Sequence, residues 1–374
     1  MADGRMADWR GGLLLALLSL FLTAALQVYV GKERPELYSN ERWPQAEALH
    51  RAILEDHPPN GADGDWEAAG AGGTNHRVLV PFLAHALARL TGAPVRRVYY
   101  AIDCAALWVA FPLLFLYLRR WLPVSWSLVG VLYLAAVLPT TYHYFYFHPW
   151  DRVSLLCWLA ALALLRDRRP LALGLALAIG TLVKFDLLFL PLLYLATWWP
   201  PRPGEAGPDD AGPDDAGSDE AARAARRRAL LETGGLLLAT WGVFLLVSAL
   251  RPTSGTRYQA ALFAKLAANL RHLLHYHLRH PALVLLLLPA LLAASFRPAP
   301  AQRDARLLRW LAPFAALHLP IYLGLTYFRE ARALVPFALL LLPPALLALQ
   351  AWTEPPAAPT APAAPPAATP APDP

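Results

Sequence analysis

The residues of this chain that could do chemistry are few and fall in short groups. In the run 142–152, rings alternate with histidines and end in Pro149, Trp150, Asp151 and Arg152. A ring such as Trp150 can stack on the C–H face of a pyranose, and sugar hydroxyls need acceptors of the kind that His148 and Asp151 carry. A structural account of the same residues stands beside that one. Pro149 breaks the preceding element, Asp151 stands where a helix N-cap belongs, and tyrosines collect in interfacial aromatic belts. Asn75, His76 and Arg77 open a short apolar segment. The planar fork of Arg77 suits a phosphate, with snorkelling to lipid headgroups as its plainer use. Lys184 and Asp186 interrupt an apolar stretch. Two residues apart they do not face each other on a helix, so mutual neutralisation needs a broken turn or outside partners. Arg329, Glu330 and Arg332 are natural partners, in a structural ion network or in a lipid-phosphate site.

The elements that must position these groups are written in the composition. Apolar residues make up 57% and charged residues 16%, against about 45–50% and about 25% in soluble domains. A soluble enzyme, a disordered chain and a disulfide scaffold are thereby excluded. The mean hydropathy of +0.36 comes from long Leu, Ala and Val runs at 11–30, 98–118, 124–142, 153–165, 171–183, 187–199, 230–250, 283–294, 307–327 and 333–349. The two cysteines, Cys104 and Cys157, lie inside such runs and offer neither a disulfide framework nor a metal site. One straight helix over 171–199 would be about 43 Å long against a hydrocarbon core of about 30 Å. The run is therefore broken at Lys184 into a short hairpin. The fold class that results is all-α: a polytopic transmembrane helical bundle of about ten spans over 11–350.

Arginine sets the orientation. Arg119 and Arg120, then Arg166, Arg168 and Arg169, then 223–228, then Arg303, Arg306 and Arg309 fall in alternate loops, which places these loops and both termini in the cytoplasm. The outer loop 31–96 becomes the largest external segment, with a short amphipathic element at 78–90 and a second outside at 256–279. The net charge of +6 includes a stretch, 205–220, with seven acids and no base, so the rest of the chain is more basic still. That excess marks cytoplasmic loop ends rather than a nucleic-acid surface. The segment 201–228 is a low-complexity cytoplasmic linker, and 355–374 is a Pro/Ala-rich disordered tail. His272, His275, His277 and His280 have a metal-like look, with 272 and 275 on one helical face, but they lack a nearby carboxylate and sit beside Arg271 and Arg279, so interfacial histidines are the default reading and a metal site the alternative. No Gly-rich phosphate loop, Cys-x-x-Cys, nucleophile elbow or His-Glu-x-x-His pattern occurs. No metal or other cofactor is expected.

The arrangement resembles the GT-C superfamily of polyprenyl-phosphate-sugar-dependent glycosyltransferases, over about 11–349. The strings Asn75-His76-Arg77-Val78-Leu79-Val80-Pro81, His148-Pro149-Trp150-Asp151 and Arg329-Glu330-Ala331-Arg332 are similar to those of bacterial GT-C-like families. The resemblance implies an integral membrane enzyme that takes a sugar from a polyprenyl-phosphate carrier and passes it to an acceptor at the outer face. It further implies a carboxylate base, Glu41 or Asp151. Arg77, Lys184, Arg329 and Arg332 would then carry charge for the departing phosphate, with Trp150 stacking on the sugar. The chain departs from the family in having no acidic pair directly after the first span, where Glu33, Glu36, Glu41 and Glu47 are scattered instead. A non-catalytic membrane protein, such as a lipid-linked-glycan transporter or a scaffold for one, is the alternative, since interrupted helices with central charges suit a transporter too. The arginine-heavy composition, with three lysines in all, points to a GC-rich bacterial genome, and hence to a bacterial inner membrane.

Overall fold

In a computed structural model of the protein, the described residues are 2–33, 43–56, 77–140, 149–200, 218–251, 267, 271, 281–297, 304–325 and 334–354. They form twelve α-helices: α1 (Ala2–Glu33), α2 (Trp43–Glu55), α3 (Leu79–Thr91), α4 (Val95–Leu118), α5 (Val124–Thr140), α6 (Asp151–Arg166), α7 (Pro170–Val183), α8 (Leu190–Trp198), α9 (Ser218–Leu250), α10 (Pro281–Ala294), α11 (Ala305–Leu325) and α12 (Val335–Thr353). A 3-10 turn, Phe185–Leu187, joins α7 to α8. The protein is all-α among the described residues.

Four stretches are long and apolar enough to cross a membrane: Gly11–Tyr29 in α1, Val95–Leu118, Glu220–Leu250 in α9, and Val335–Thr353. Leu79–Thr91, Val124–Pro139, Pro170–Val183 and Phe185–Trp198 are apolar but shorter. The outward faces carry many large apolar side chains. Leu171 is 91% exposed and Leu238 74%, an arrangement stable against hydrocarbon and unfavourable in water.

Polar contacts set the helix directions. Gln27 of α1 donates to Asp103 of α4, and nearer the start of α1 the Ser19 hydroxyl donates to the Trp108 carbonyl further along α4. These two helices are therefore antiparallel. α4 and α6 run parallel, since Arg152 pairs with Asp103 near their starts and Arg166 lies over the Tyr117 ring near their ends. α7 returns along α6, and α9 runs beside α7 from Glu232, which meets Arg168, to Phe244, which meets Phe185. Two ends result. One gathers Gln27, Asp103, Arg152 and Lys184. The other is the arginine end, with Arg120–Asp304 at 2.9 Å, Trp126 donating to Glu354 at 2.7 Å and Trp198 donating to the Leu165 carbonyl at 3.1 Å. The start of α1 and the end of α12 both lie at the arginine end.

Two local expectations change. Residues 218–228, read as linker, form the first turns of α9, because their Ala/Arg-rich sequence has high helix propensity; 201–217 lie outside the described residues. The N-cap reading of Asp151 is also corrected. Trp150 takes the cap position without any side-chain cap bond, and Asp151 is the first helical residue. The break at Lys184 forms as expected, with backbone angles of φ −165° and ψ 131° at that residue.

Candidate functional site

The site is built on the Lys184 break. Once the chain leaves helical geometry there, Lys184 and Asp186 no longer diverge around a helix, and Nζ lies 3.4 Å from Asp186 Oδ2. The same ammonium lies 3.3 Å from Asp151 Oδ1 at the start of α6. One cation thus bridges two carboxylates from segments 35 residues apart at their outer members. Ser154, one turn along α6, donates to Asp186 at 3.4 Å. Asp151, Arg152, Ser154, Lys184 and Asp186 line a small cavity of ≈ 20 Å³, walled on its far side by Val335, Pro336 and Leu339 of α12. That volume holds about one water.

Arg77 approaches from the start of α3. It is buried, at 8% exposure, with its guanidinium 4.8 Å from the Trp150 ring centroid and 5.9 Å from that of Phe185. These rings are the chain neighbours of Asp151 and of Lys184. Stacking on two aromatic faces stabilises the charge without an acid, and Nε has no hydrogen-bond partner among the described residues. The snorkelling reading of Arg77 is therefore corrected: its head points into the protein.

A second pair braces the first. Arg152 lies 3.9 Å from Asp103, whose other oxygen accepts from Gln27 at 2.8 Å. α1, α4 and α6 are tied there by a buried amide, carboxylate and guanidinium. Around the Lys184 turn, His318 of α11 packs against Trp158, Phe189 and Phe314. Three cations, Arg77, Arg152 and Lys184, face three carboxylates, Asp103, Asp151 and Asp186, at one end of the bundle.

Further out at the same end, α2 is docked by two contacts. His50 Nδ1 lies 2.7 Å from the Tyr99 hydroxyl, with the His85 ring 5.9 Å away. Burial, aided by the charges of His85 and Arg51 and opposed by Glu47, lowers the His50 imidazole from its ordinary 6.5 to about 4. Arg251, just past α9, lies 3.2 Å from Asp56, donates to the Ile53 carbonyl and stands 5.9 Å over Phe82. A cation there also meets the negative end of the α2 dipole.

Of the residues singled out in the sequence, Arg77, Trp150, Asp151, Lys184 and Asp186 come together. Glu41, His148, Arg329, Glu330 and Arg332 lie outside the described residues, as do the four interfacial histidines. Asp103, Gln27 and Ser154 were missed. Asp103 is a lone acid inside an apolar run, which is a signal for function or pairing in its own right; nothing in the spacing marks Ser154. Among the described residues, no group of three or more His, Cys, Asp or Glu is placed to hold a metal ion. Compared with protein-family models, curated proteins and solved structures, the chain shows no match to any of the three.

Proposed function

We propose that this protein is an integral membrane glycosyltransferase of GT-C type, moving a sugar from a polyprenyl-phosphate carrier to an acceptor hydroxyl. The observation that carries the reading is the meeting of Arg77, Trp150, Asp151, Lys184 and Asp186 at one end of an apolar bundle. Ionisable groups kept in such a place cost about 3 kcal/mol or more each unless they are paired or wet, and a carboxylate beside fixed cations and an indole suits this transfer. In the reaction the acceptor oxygen attacks the anomeric carbon and its proton passes to Asp151. The bond from that carbon to the phosphate oxygen breaks, and the lipid phosphate leaves with its charge held by Arg77 and Lys184. Glu41 is the other candidate base. Substrate would enter by displacing the Lys184 ammonium from its two carboxylates, since the cavity holds about one water. On this reading the chain crosses a bacterial inner membrane about ten times, with both termini cytoplasmic and the cluster on the outer side.

One observation favours a non-catalytic membrane protein instead. The described cluster has equal numbers of acids and bases, as a purely structural ion network would. The test is sugar transfer by the full chain in nanodiscs, using polyprenyl-phosphate-linked hexoses and pentoses as donors, with release of polyprenyl phosphate followed by mass spectrometry. Release that is lost in Asp151→Asn and in Arg77→Gln, with the fold intact, supports the enzyme. Release unaffected by both removes these residues from the mechanism, and no release from any donor leaves the structural network as the reading.

A further inference from the structure

The arginine end carries a groove that the charged cluster does not use. α9 is 33 residues long, about 50 Å at about 1.5 Å per residue, against a hydrocarbon core of about 30 Å. Its first turns therefore stand in the headgroup layer of whichever leaflet bathes the arginine end. Along one face the residues run Glu220, Arg223, Arg227, Leu231, Gly234 and Leu238. Spacings of three and four make this one continuous helical stripe.

The stripe changes character partway. Arg223 and Arg227 are exposed, and beyond them Leu231 and Leu238 are exposed by 67% and 74%. A Cβ added at Gly234 or Gly235 would meet nothing within 4 Å, so the face between the two leucines is an open notch. Around the arginines the helix borders an open groove of ≈ 520 Å³, lined by Glu220, Arg223, Arg227, Arg228, Leu231 and Glu232 among others. Both oxygens of Glu232 are already engaged: Oε1 accepts from Arg228 at 2.8 Å, while Oε2 accepts from Tyr194 at 2.7 Å and faces Arg168 at 3.4 Å. With Arg228 engaged by Glu232, the other described charges of the lining are Arg223, Arg227 and the acid Glu220.

This charge pattern discriminates between headgroups. A zwitterionic headgroup brings an ammonium, which adds positive charge to a lining that already carries three arginines against two acids. An anionic headgroup needs guanidinium alone, and two arginines one helical turn apart can share a phosphate. The apolar notch that follows fits an acyl chain, which a free phosphate would not use. We propose that this face of α9 binds an anionic phospholipid, with its phosphate against Arg223 and Arg227 and an acyl chain along Leu231, Gly234 and Leu238. The site lies at the opposite end from the charged cluster and is independent of the glycosyltransferase reading.

The test uses the full chain in phosphatidylcholine nanodiscs doped with spin-labelled phosphatidylglycerol or spin-labelled phosphatidylcholine. The motionally restricted fraction should favour phosphatidylglycerol, by about fivefold for each arginine engaged, and Arg223→Gln with Arg227→Gln should abolish the preference. A diazirine on the acyl chain of phosphatidylglycerol should cross-link within 231–238 of the unaltered chain. Equal restriction of the two lipids, a preference that survives the double substitution, or cross-links confined to other helices would overturn the proposal. Full displacement by soluble glycerophosphate would overturn it too, because the arginines would then be taking a free phosphate. If the double variant loses its thermal transition, the cross-link map of the unaltered chain decides.

Discussion

Lys184 holds Asp151 and Asp186 at 3.3 and 3.4 Å, so its ammonium is what allows two carboxylates to share one enclosed place. Lys184→Met removes the bridge and leaves like charges facing each other with little water. It should lower stability by about 3–5 kcal/mol, as breaking a buried pair does, read as a fall in the thermal midpoint of the detergent-solubilised protein. Adding Asp151→Asn and Asp186→Asn should restore much of that loss, and an unchanged midpoint in the single variant would show that the bridge is not needed. His50 makes a pH prediction at the same scale. Its imidazole is lowered to about 4 in the folded protein from an ordinary 6.5. Between those values the undocked helix takes up a proton that the docked one refuses. The docking of α2 should therefore be at full strength above about pH 6.5 and weaken as pH falls toward about 4. Hydrogen exchange of the α2 amides, corrected for intrinsic rate, should show the loss, and His50→Gln should flatten it. Sequence spacing exposed Lys184 and Asp186 because charge in an apolar run is conspicuous. It did not give their partner, because Asp151 lies in another helix and its position at a helix start had an adequate local explanation.

The 3-10 turn that follows Lys184 folds back closely on α7, and Gly180 makes the approach possible. A Cβ at Gly180 would lie 2.6 Å from Leu187 Cδ1 and 3.4 Å from Cys157 Cβ, and Leu187 is itself fully buried. Gly180→Leu should therefore push the Leu187 turn away from α7, at about 1–3 kcal/mol or more in overpacking. Gly174 offers the control, since its added Cβ would make only ordinary contacts at 3.6 and 3.8 Å. There Gly174→Ala should be neutral or raise the melting temperature slightly through helix propensity, worth about 1 kcal/mol. Equal effects of the two substitutions would show that the close approach carries no packing constraint. The broken run was legible in advance from length alone, as was the short α3. The extent of α9 was not, because an Arg- and Ala-rich run after an acidic repeat has the composition of a linker and the propensity of a helix.

At the scale of the whole molecule, the start of α1 and the end of α12 share the arginine end, while α2 and α3 lie at the other. In a background with Cys104→Ser and Cys157→Ala, Gly4→Cys and Thr353→Cys should react with an impermeant maleimide from one side of sealed vesicles, and Glu55→Cys from the opposite side. Labelling of all three from one side would overturn this arrangement. Hydropathy reads ten apolar runs, yet four helices reach crossing length and composition among the described residues. The polar break at Lys184 ends α7 short of that length, and whether a short apolar helix crosses depends on the neighbours that cover its ends. The placement of α12 adds a consequence for biogenesis. Every residue from Val335 to Ala348 is buried, and Val335, Pro336 and Leu339 close the cavity beside Lys184. During synthesis that wall emerges after every other helix described, so the Asp151–Lys184–Asp186 bridge lacks its apolar cover until α12 is in place. A chain halted before Val335 would therefore turn a paired but uncovered cluster of charges toward lipid, which burial against α12 otherwise prevents.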